Sequence, residues 1–194
     1  MRRIGIFGGS FNPIHNGHAI IASYIMQHGG LDQLWLMVSP QNPLKQPHEM
    51  AGELHRLRMT EMVSHRIDGV ETSAFEFTMP RPSYTIDTLH ALQDKFPDDE
   101  FWLVIGADNW AVWDRWRSHD EIIQQFHVLI YPRIGYEVSI PDTLTDRVRV
   151  VNAPIIELSS TTVRELLSHG QSIAFYVPAD VEQYIVKHQL YTQA

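Results

Sequence analysis

Apolar residues occur in two kinds of pattern along the 194 residues of this chain. Short continuous runs that stop at glycine, serine or proline are typical of strands buried on both faces, whereas longer stretches with apolar residues at helical spacing predict helices. The predicted strands are residues 4–7, 34–38, 101–105, 128–131 and 148–151. The predicted helices are residues 20–26, 53–67, 83–96, 162–168 and 179–188. Thr162 and Glu165 have capping-box spacing and predict the start of the fourth helix.

Strands that alternate with helices predict a doubly wound α/β fold, with a mostly parallel sheet and helices on both faces. We expect one domain over residues 1–194, with a small helical part from about residue 159. Ligands of such sheets bind beyond the carboxyl ends of the strands, which predicts a site built from residues 8–18, 39–45, 106–116 and 157–164. Residues 134–146 predict a loop whose conformation the sequence leaves open.

The composition is that of a compact globular protein, with 44% hydrophobic and 20% charged residues. The chain has no cysteine, which excludes a disulfide framework, a thiolate nucleophile and a cysteine-ligated metal. A formal net charge of -8 argues against binding to nucleic acid or to an anionic membrane. The first residues do not resemble a signal peptide, and no apolar run approaches the roughly 18 to 20 residues that cross a bilayer, so we expect a cytoplasmic protein.

Residues 8–18 combine two glycines and two histidines at the mouth of a predicted helix. Gly8 and Gly9 allow backbone N–H groups to approach phosphate oxygens, and the positive end of the helix dipole favours negative charge there. His15 and His18 can add hydrogen bonds or positive charge. Two other interpretations are a tight turn with structural histidines and a zinc site, although no third ligand lies nearby in the sequence. The glycine spacing fits neither a dinucleotide-binding fingerprint nor a P-loop.

Several segments resemble the motifs of one enzyme superfamily. Residues 15–18, His-Asn-Gly-His, resemble the His-x-Gly-His signature of the adenylyltransferases, which are nucleotidyltransferases. Residues 159–164, Ser-Ser-Thr-Thr-Val-Arg, resemble the Ser-Ser-Thr-x-x-Arg motif that closes the ATP site in that superfamily. Residues 83–89, residues 106–108 and Trp116 are similar to the bacterial nicotinate-nucleotide adenylyltransferases. The resemblance covers nearly the whole chain and implies a Rossmann-like nucleotidyltransferase fold.

The resemblance implies an enzyme of NAD biosynthesis that transfers AMP from ATP to nicotinate mononucleotide, giving nicotinate adenine dinucleotide and pyrophosphate. Catalysis would rest on His15, His18 and Arg164, because such transfers depend largely on alignment and on positive charge. Mg²⁺ would enter with ATP rather than at a metal site of the protein. The implied ATP-binding residues are Gly8, Gly9, Ser10, Phe11, His18, Gly106, Asp108, Ser159, Ser160, Thr161 and Arg164. The implied nicotinate mononucleotide-binding residues are Ser39, Lys45, Tyr84, Thr85, Val112 and Trp116.

The cluster of tryptophans receives two interpretations. By resemblance, Trp116 stacks on the pyridine ring, and backbone amides near Thr85 and at Val112 bind the nicotinate carboxylate. Trp110 and Trp113 stand at helix-like spacing and are expected to be core residues. Thr85 also lies where a helix is expected to start, which gives it a purely structural alternative.

Other assignments stay open at the level of sequence. Asp108 either accepts a hydrogen bond from a ribose hydroxyl or caps a short helix, and Lys45 either lies near the substrate phosphates or is a solvated loop lysine. Phosphopantetheine adenylyltransferase, a nicotinamide-preferring relative and a module that senses nucleotides without turnover are the rival functions. Preference for the acid over the amide rests on resemblance alone, and the oligomeric state is open.

Overall fold

The computed structural model describes residues 1–40 and 50–192. Within these residues the chain forms six strands and seven α-helices. The strands are β1 (Arg3–Gly9), β2 (Gln33–Val38), β3 (Val70–Ser73), β4 (Glu100–Gly106), β5 (His127–Tyr131) and β6 (Val148–Val150). The helices are α1 (Asn16–His28), α2 (Glu53–Ser64), α3 (Thr85–Lys95), α4 (Ala107–Trp110), α5 (His119–Gln125), α6 (Ser160–Ser168) and α7 (Ala179–Lys187). None of the helices in the described residues is long and apolar enough to cross a membrane.

The strands form one sheet in the order β3-β2-β1-β4-β5-β6, and every described strand pair is parallel. The chain first builds outward from β1 to β3 and then returns to the other side of β1 with β4. This reversal of strand order leaves a crevice beyond the carboxyl ends of β1 and β4, which is where doubly wound sheets bind ligands. The prediction of a doubly wound α/β fold is confirmed.

Alternate residues of the strands feed two separate cores, one on each face of the sheet. Phe7 of β1 packs on one face with the buried side of α1 and α2. Ile4 and Ile6 pack on the other face with α3 and α5. Because both faces are covered, the four central strands β2, β1, β4 and β5 are mostly buried, and they hold the site-forming loops at one edge of the sheet.

Three elements and one helix start differ from the sequence expectations, and one of the three is the four-residue helix α4, which was not among the predicted helices. Strand β3 was missed because, as an edge strand of four residues, it buries only Val70. Helix α5 was missed because its seven residues include only two buried ones. The predicted capping box at Thr162 is wrong: Ser159 is the N-cap residue of α6, and its hydroxyl accepts a hydrogen bond from the Thr162 amide at 3.1 Å.

Candidate active site

Two cavities lie side by side at the carboxyl edge of the sheet. The first, here called the histidine cavity, has a volume of about 370 Å³ and contains His15 and His18 in its wall. The second, the tryptophan cavity, has a volume of about 470 Å³ and contains Trp116. Gly9 and Ser10, at the end of β1, line both cavities. Two ligands bound in these cavities would therefore meet at the end of β1.

The two histidines of the histidine cavity cap helix α1 reciprocally. His15 is the N-cap residue in an extended conformation, and its Nδ1 accepts a hydrogen bond from the His18 amide at 3.3 Å. In return, Nδ1 of His18 accepts a hydrogen bond from the His15 amide at 3.2 Å. The rings stack with centroids 3.7 Å apart. The sequence therefore uses imidazole where a capping box ordinarily has a hydroxyl and a carboxylate.

This capping fixes the hydrogen-bonding role of each imidazole. Because Nδ1 is an acceptor in both rings, the hydrogen of each neutral ring lies on Nε2. Burial, reinforced by the positive charge of Arg133, lowers the pKa of His15 from 6.5 to about 4. His15 is therefore a neutral hydrogen-bond donor at physiological pH rather than a cation.

The position of Gly17, between the two histidines, has no room for a side chain. A Cβ at this position would lie 2.9 Å from Nδ1 of His15 and 3.3 Å from Cγ2 of Ile156. Any side chain would displace the His15 ring from the position in which it caps the helix. The glycine of the His-x-Gly-His segment thus supports the geometry of the first histidine.

Asp108 lines the histidine cavity, and one of its carboxylate oxygens, Oδ1, is buried. It does not cap α4, whose N-cap residue is Gly106. Oδ1 of Asp108 has no hydrogen-bond partner among the described residues, and its nearest cation is Nε of Arg133 at 3.8 Å. The side chain of Asp108 is 37% exposed and lines the histidine cavity, where a carboxylate can accept a hydrogen bond from a group such as a ribose hydroxyl.

The start of α6, which is distant from β1 in the sequence, forms one wall of the histidine cavity. Ser159, Ser160 and Thr161 line it, and the hydroxyl of Ser160 donates to the carbonyl of Pro13 at 2.9 Å. Arg164 does not line either cavity. Its guanidinium donates to the Asn12 carbonyl at 3.0 Å. The structure thus places Arg164 behind the 10–13 loop, and its predicted contact with phosphate stays a prediction.

The tryptophan cavity is formed by the start of α3 and the chain after α4. Ser39, Tyr84, Thr85 and Trp116 all line it, as predicted for one ligand site. Thr85 is the first residue of α3, so the cavity faces a helix N-terminus, which favours an anion. Trp113 is buried, whereas Trp110 is half-buried and donates its indole N–H to the Ser139 carbonyl at 3.2 Å. Of the three, Trp116 alone lines a described cavity.

Three charged residues of the tryptophan cavity were missed from the sequence: Glu76, Arg115 and Arg117. Burial raises the pKa of Glu76, and hydrogen bonds from the hydroxyls of Thr88 at 2.9 Å and Ser83 at 3.4 Å partly offset that effect. No motif marks Glu76, which comes from a short 3₁₀ helix. Arg133 of the histidine cavity was missed too, although its position directly after β5 was a usable signal.

Besides Arg164, four predicted residues lie elsewhere than expected or cannot be placed. Gly8 and Gly106, expected at the ATP site, line the tryptophan cavity. Val112 lines neither cavity, and its amide donates to the Asn109 carbonyl at 3.2 Å, so binding a carboxylate would require that bond to open. Lys45 lies outside the described residues.

A family model and two relatives of this chain indicate the same group of enzymes. The model of the cytidylyltransferase-like family matches residues 6–166. A probable nicotinate-nucleotide adenylyltransferase of Bacteroides thetaiotaomicron is 42% identical over 183 residues, covering 94% of this chain and 90% of the relative. A probable nicotinate-nucleotide adenylyltransferase of Flavobacterium johnsoniae is 36% identical over 190 residues, covering 97% and 98% of the two chains.

The fold is also similar to that of a solved structure. Nicotinic acid mononucleotide adenylyltransferase of Plasmodium falciparum, complexed with NaAD, superposes with a TM-score of 0.83 at 19% identity, covering 100% of this chain and 99% of the other. At that identity the similarity supports the fold alone.

Proposed function

Because the chain belongs to the cytidylyltransferase-like family and, within it, to the nicotinate-nucleotide adenylyltransferases, we propose that it transfers AMP from ATP to nicotinate mononucleotide. The products are nicotinate adenine dinucleotide and pyrophosphate, and the reaction belongs to NAD biosynthesis. The observation that carries this proposal is the pair of cavities that share Gly9 and Ser10.

Each cavity suits one of the two substrates. ATP is assigned to the histidine cavity, where His15, His18 and the start of α6 provide donors for its phosphates and Asp108 provides an acceptor for its ribose. Nicotinate mononucleotide is assigned to the tryptophan cavity, with its pyridine ring on Trp116 and its carboxylate toward the start of α3. Its 5′-phosphate then lies near the end of β1, close to the α-phosphorus of ATP.

The transfer is a single in-line displacement. An oxygen of the acceptor phosphate forms a bond to the α-phosphorus, while the bond from that phosphorus to the bridging oxygen breaks and its electron pair leaves with pyrophosphate. The acceptor phosphate is already largely ionised at pH 7, so the attack needs no general base. The protein has to align the two phosphates and stabilise the growing charge.

The histidines act as donors in this scheme. Their Nδ1 atoms accept the capping hydrogen bonds, and we propose that Nε2–H of His15 and of His18 donates to phosphate oxygens. We assign the larger share of transition-state stabilisation to His18 and a supporting share to His15 and Arg164. Arg164 acts on phosphate if its bond to the Asn12 carbonyl opens, and otherwise by fixing the loop.

ATP enters with a divalent metal, which we propose is Mg²⁺. It arrives as part of the substrate, and the described residues contain no group of three or more His, Asp or Glu side chains that could hold a metal ion. We further propose that residues 1–194 act as one nucleotidyltransferase domain in the cytoplasm. Contacts of the helical part from residue 159 with the 10–13 loop, such as Ser160 with Pro13, support the single domain.

Pyrophosphate release tests the proposed function. The protein is mixed with Mg–ATP and, separately, with nicotinate mononucleotide, nicotinamide mononucleotide or phosphopantetheine, and the dinucleotide product is identified by mass. We expect turnover with nicotinate mononucleotide and a kcat/KM higher than that for the amide. Turnover with phosphopantetheine alone would transfer the function to that rival, and no release with any acceptor would favour a nucleotide-sensing module.

A further inference from the structure

Among the described residues, Arg56 has the largest side chain of those almost completely buried, with 1% of its surface exposed. It lies in the first turn of α2, at the end of that helix nearest the carboxyl edge of the sheet. All its described hydrogen bonds go to backbone carbonyls. Nε donates to Ala51 at 3.0 Å, Nη1 donates to Ser10 at 2.6 Å and to Ser39 at 2.7 Å, and Nη2 donates to Pro40 at 2.9 Å.

Stability alone does not account for a guanidinium in this place. Burying a charge is costly, and burial indeed lowers the pKa of Arg56. An apolar side chain of similar size commonly serves a protein interior equally well or better. What an apolar side chain cannot do is fix the positions of four carbonyl groups at once, because only the planar guanidinium presents five donors in a rigid fork.

Two of the four carbonyls belong to residues that line the cavities. Ser10 lines both cavities, and Ser39 lines the tryptophan cavity. Pro40 and Ala51 are close to the two described ends that flank residues 41–49. Ala51 is held a second time, because its amide donates to Oδ1 of Asn12 at 3.0 Å.

We propose that Arg56 is a positioning residue of the transfer reaction, which holds the backbone of Ser10, Ser39, Pro40 and Ala51 in the register that aligns the two substrate phosphates. Arg56 touches neither substrate and acts through the backbone carbonyls that it binds. A misplacement of such a loop by about 1 Å is enough to lower turnover by roughly 100-fold. The inference rests on the proposed function for its kinetic consequence but not for its effect on ligand binding.

The test compares Arg56→Lys and Arg56→Ala with Arg58→Lys and Arg58→Ala. Arg58 lies on the same helix, has 59% of its side chain exposed and pairs only with Glu61 among the described residues. For each protein, kcat is divided by the folded fraction, measured by near-UV circular dichroism at the assay temperature, and KM is measured for both substrates. Binding of Mg–ATP is measured separately by calorimetry.

We expect Arg56→Lys to keep a cooperative thermal transition, because it retains the stem and the charge, and to lose about 100-fold in kcat per folded molecule. A lysine reaches fewer carbonyls than the fork of arginine. Arg56→Ala should lose at least as much, and both Arg58 variants should remain within about twofold of the wild type. Two outcomes overturn the proposal: folded Arg56→Lys with wild-type kcat and KM, or no folded protein from either Arg56 variant.

The calorimetric arm separates this proposal from the proposed function. If the wild type gives no pyrophosphate with any acceptor, the proposed function fails. Arg56 is then judged by Mg–ATP affinity alone. Weaker binding in Arg56→Lys but not in Arg58→Lys supports the positioning role, and equal binding in all three proteins contradicts it.

Discussion

The histidine cavity and the tryptophan cavity share a wall but are built in different ways. In the histidine cavity, helix caps at His15 and Ser159 orient the imidazole and hydroxyl groups, while Asp108 and Arg133 reach it from the ends of β4 and β5. The tryptophan cavity is assembled from separate segments that follow β2, β3 and β4, and it includes the indole of Trp116. The first therefore suits the reacting phosphates, and the second suits recognition of a particular acceptor.

Because of this contrast, substitutions in the two cavities should change different kinetic constants. Changes in the histidine cavity should lower kcat, because they remove groups that stabilise the transition state. Changes in the tryptophan cavity should raise the KM for the acceptor and leave the KM for ATP unaltered. A variant that crosses this division would count against the assignment of the two cavities.

The largest effect is expected for His18→Asn. Asparagine keeps an acceptor near the position of Nδ1 for the His15 amide and loses the donor at Nε2. We predict a fall in kcat of about 100- to 1,000-fold in steady-state pyrophosphate release, with a thermal midpoint close to that of the wild type.

His18→Gln and His28→Asn are the matched variants. Glutamine places a donor near the position of Nε2 but gives up the cap, so His18→Gln should retain more activity and lose about 1 kcal/mol of stability. His28→Asn, at the exposed end of the same helix, should change neither. A His18→Asn enzyme within tenfold of wild-type kcat would refute the role given to His18.

The pH dependence of stability gives the next largest effect. The pKa of His15 is about 4 in the folded protein, against 6.5 for the free imidazole, so between these values the unfolded chain binds more protons. The stability that His15 contributes is complete above about pH 6.5 and declines as the pH falls toward 4, by about 3 kcal/mol in all. Urea unfolding from pH 7 to pH 4 measures it.

His15→Asn is the comparison for this measurement, because asparagine is a good N-cap residue without a titrating ring. Its free energy of unfolding should fall less steeply over the same pH range than that of the wild type. Parallel pH profiles for the two proteins would show that His15 titrates near its ordinary pKa, and NMR titration of the His15 ring would give the value directly.

For the tryptophan cavity, we predict that Trp116→Leu raises the KM for nicotinate mononucleotide by about tenfold and leaves the KM for ATP unchanged. Leucine keeps an apolar contact but removes the flat face on which the pyridine stacks. Trp110→Leu is the control, because Trp110 lines neither cavity. An equal rise of both KM values in Trp116→Leu would mean that the two substrates are not separated as proposed.

The smallest effects are expected for substitutions of two glycines, Gly17 and Gly8, one in the wall of each cavity. Gly17→Ala must displace the His15 ring, so the cap loss of about 1 kcal/mol roughly cancels the gain in helix propensity of about 1 kcal/mol, and the expected effect is a fall in kcat of about fivefold. A Cβ at Gly8 meets nothing within 4 Å, so Gly8→Ala should change the free energy of unfolding by no more than about 0.5 kcal/mol. Because Gly8 lines the tryptophan cavity, this substitution should only raise the KM for the acceptor.

The sequence shows the helix caps of the histidine cavity more readily than the charged residues of the tryptophan cavity, for a physical reason. The residues that form a helix cap and the loop before it are neighbours in the sequence. About ten consecutive positions are therefore enough to predict the polar groups that they contribute to a site. Glu76, Arg115 and Arg117 reach the tryptophan cavity only because β3 and the chain after α4 are brought beside α3 by the sheet. Arg56 has no motif at all, since its role depends on four carbonyls that folding brings together.

The same distinction holds for the fold. Strands β1, β2, β4 and β5 are continuous apolar runs and were predicted, whereas the edge strand β3 buries too little to be seen. The start of α6 was misplaced because two hydroxyls three residues apart, Ser159 and Thr162, both carry a capping signal. Packing against the 10–13 loop selects Ser159.

A crystal structure with nicotinate adenine dinucleotide bound tests the assignment of the two cavities most directly. The account predicts the AMP half in the histidine cavity, with Nε2 of His18 within hydrogen-bonding distance of a phosphate oxygen, and the pyridine ring stacked on Trp116. A dinucleotide bound in the opposite direction, or with its pyridine ring away from Trp116, would contradict it.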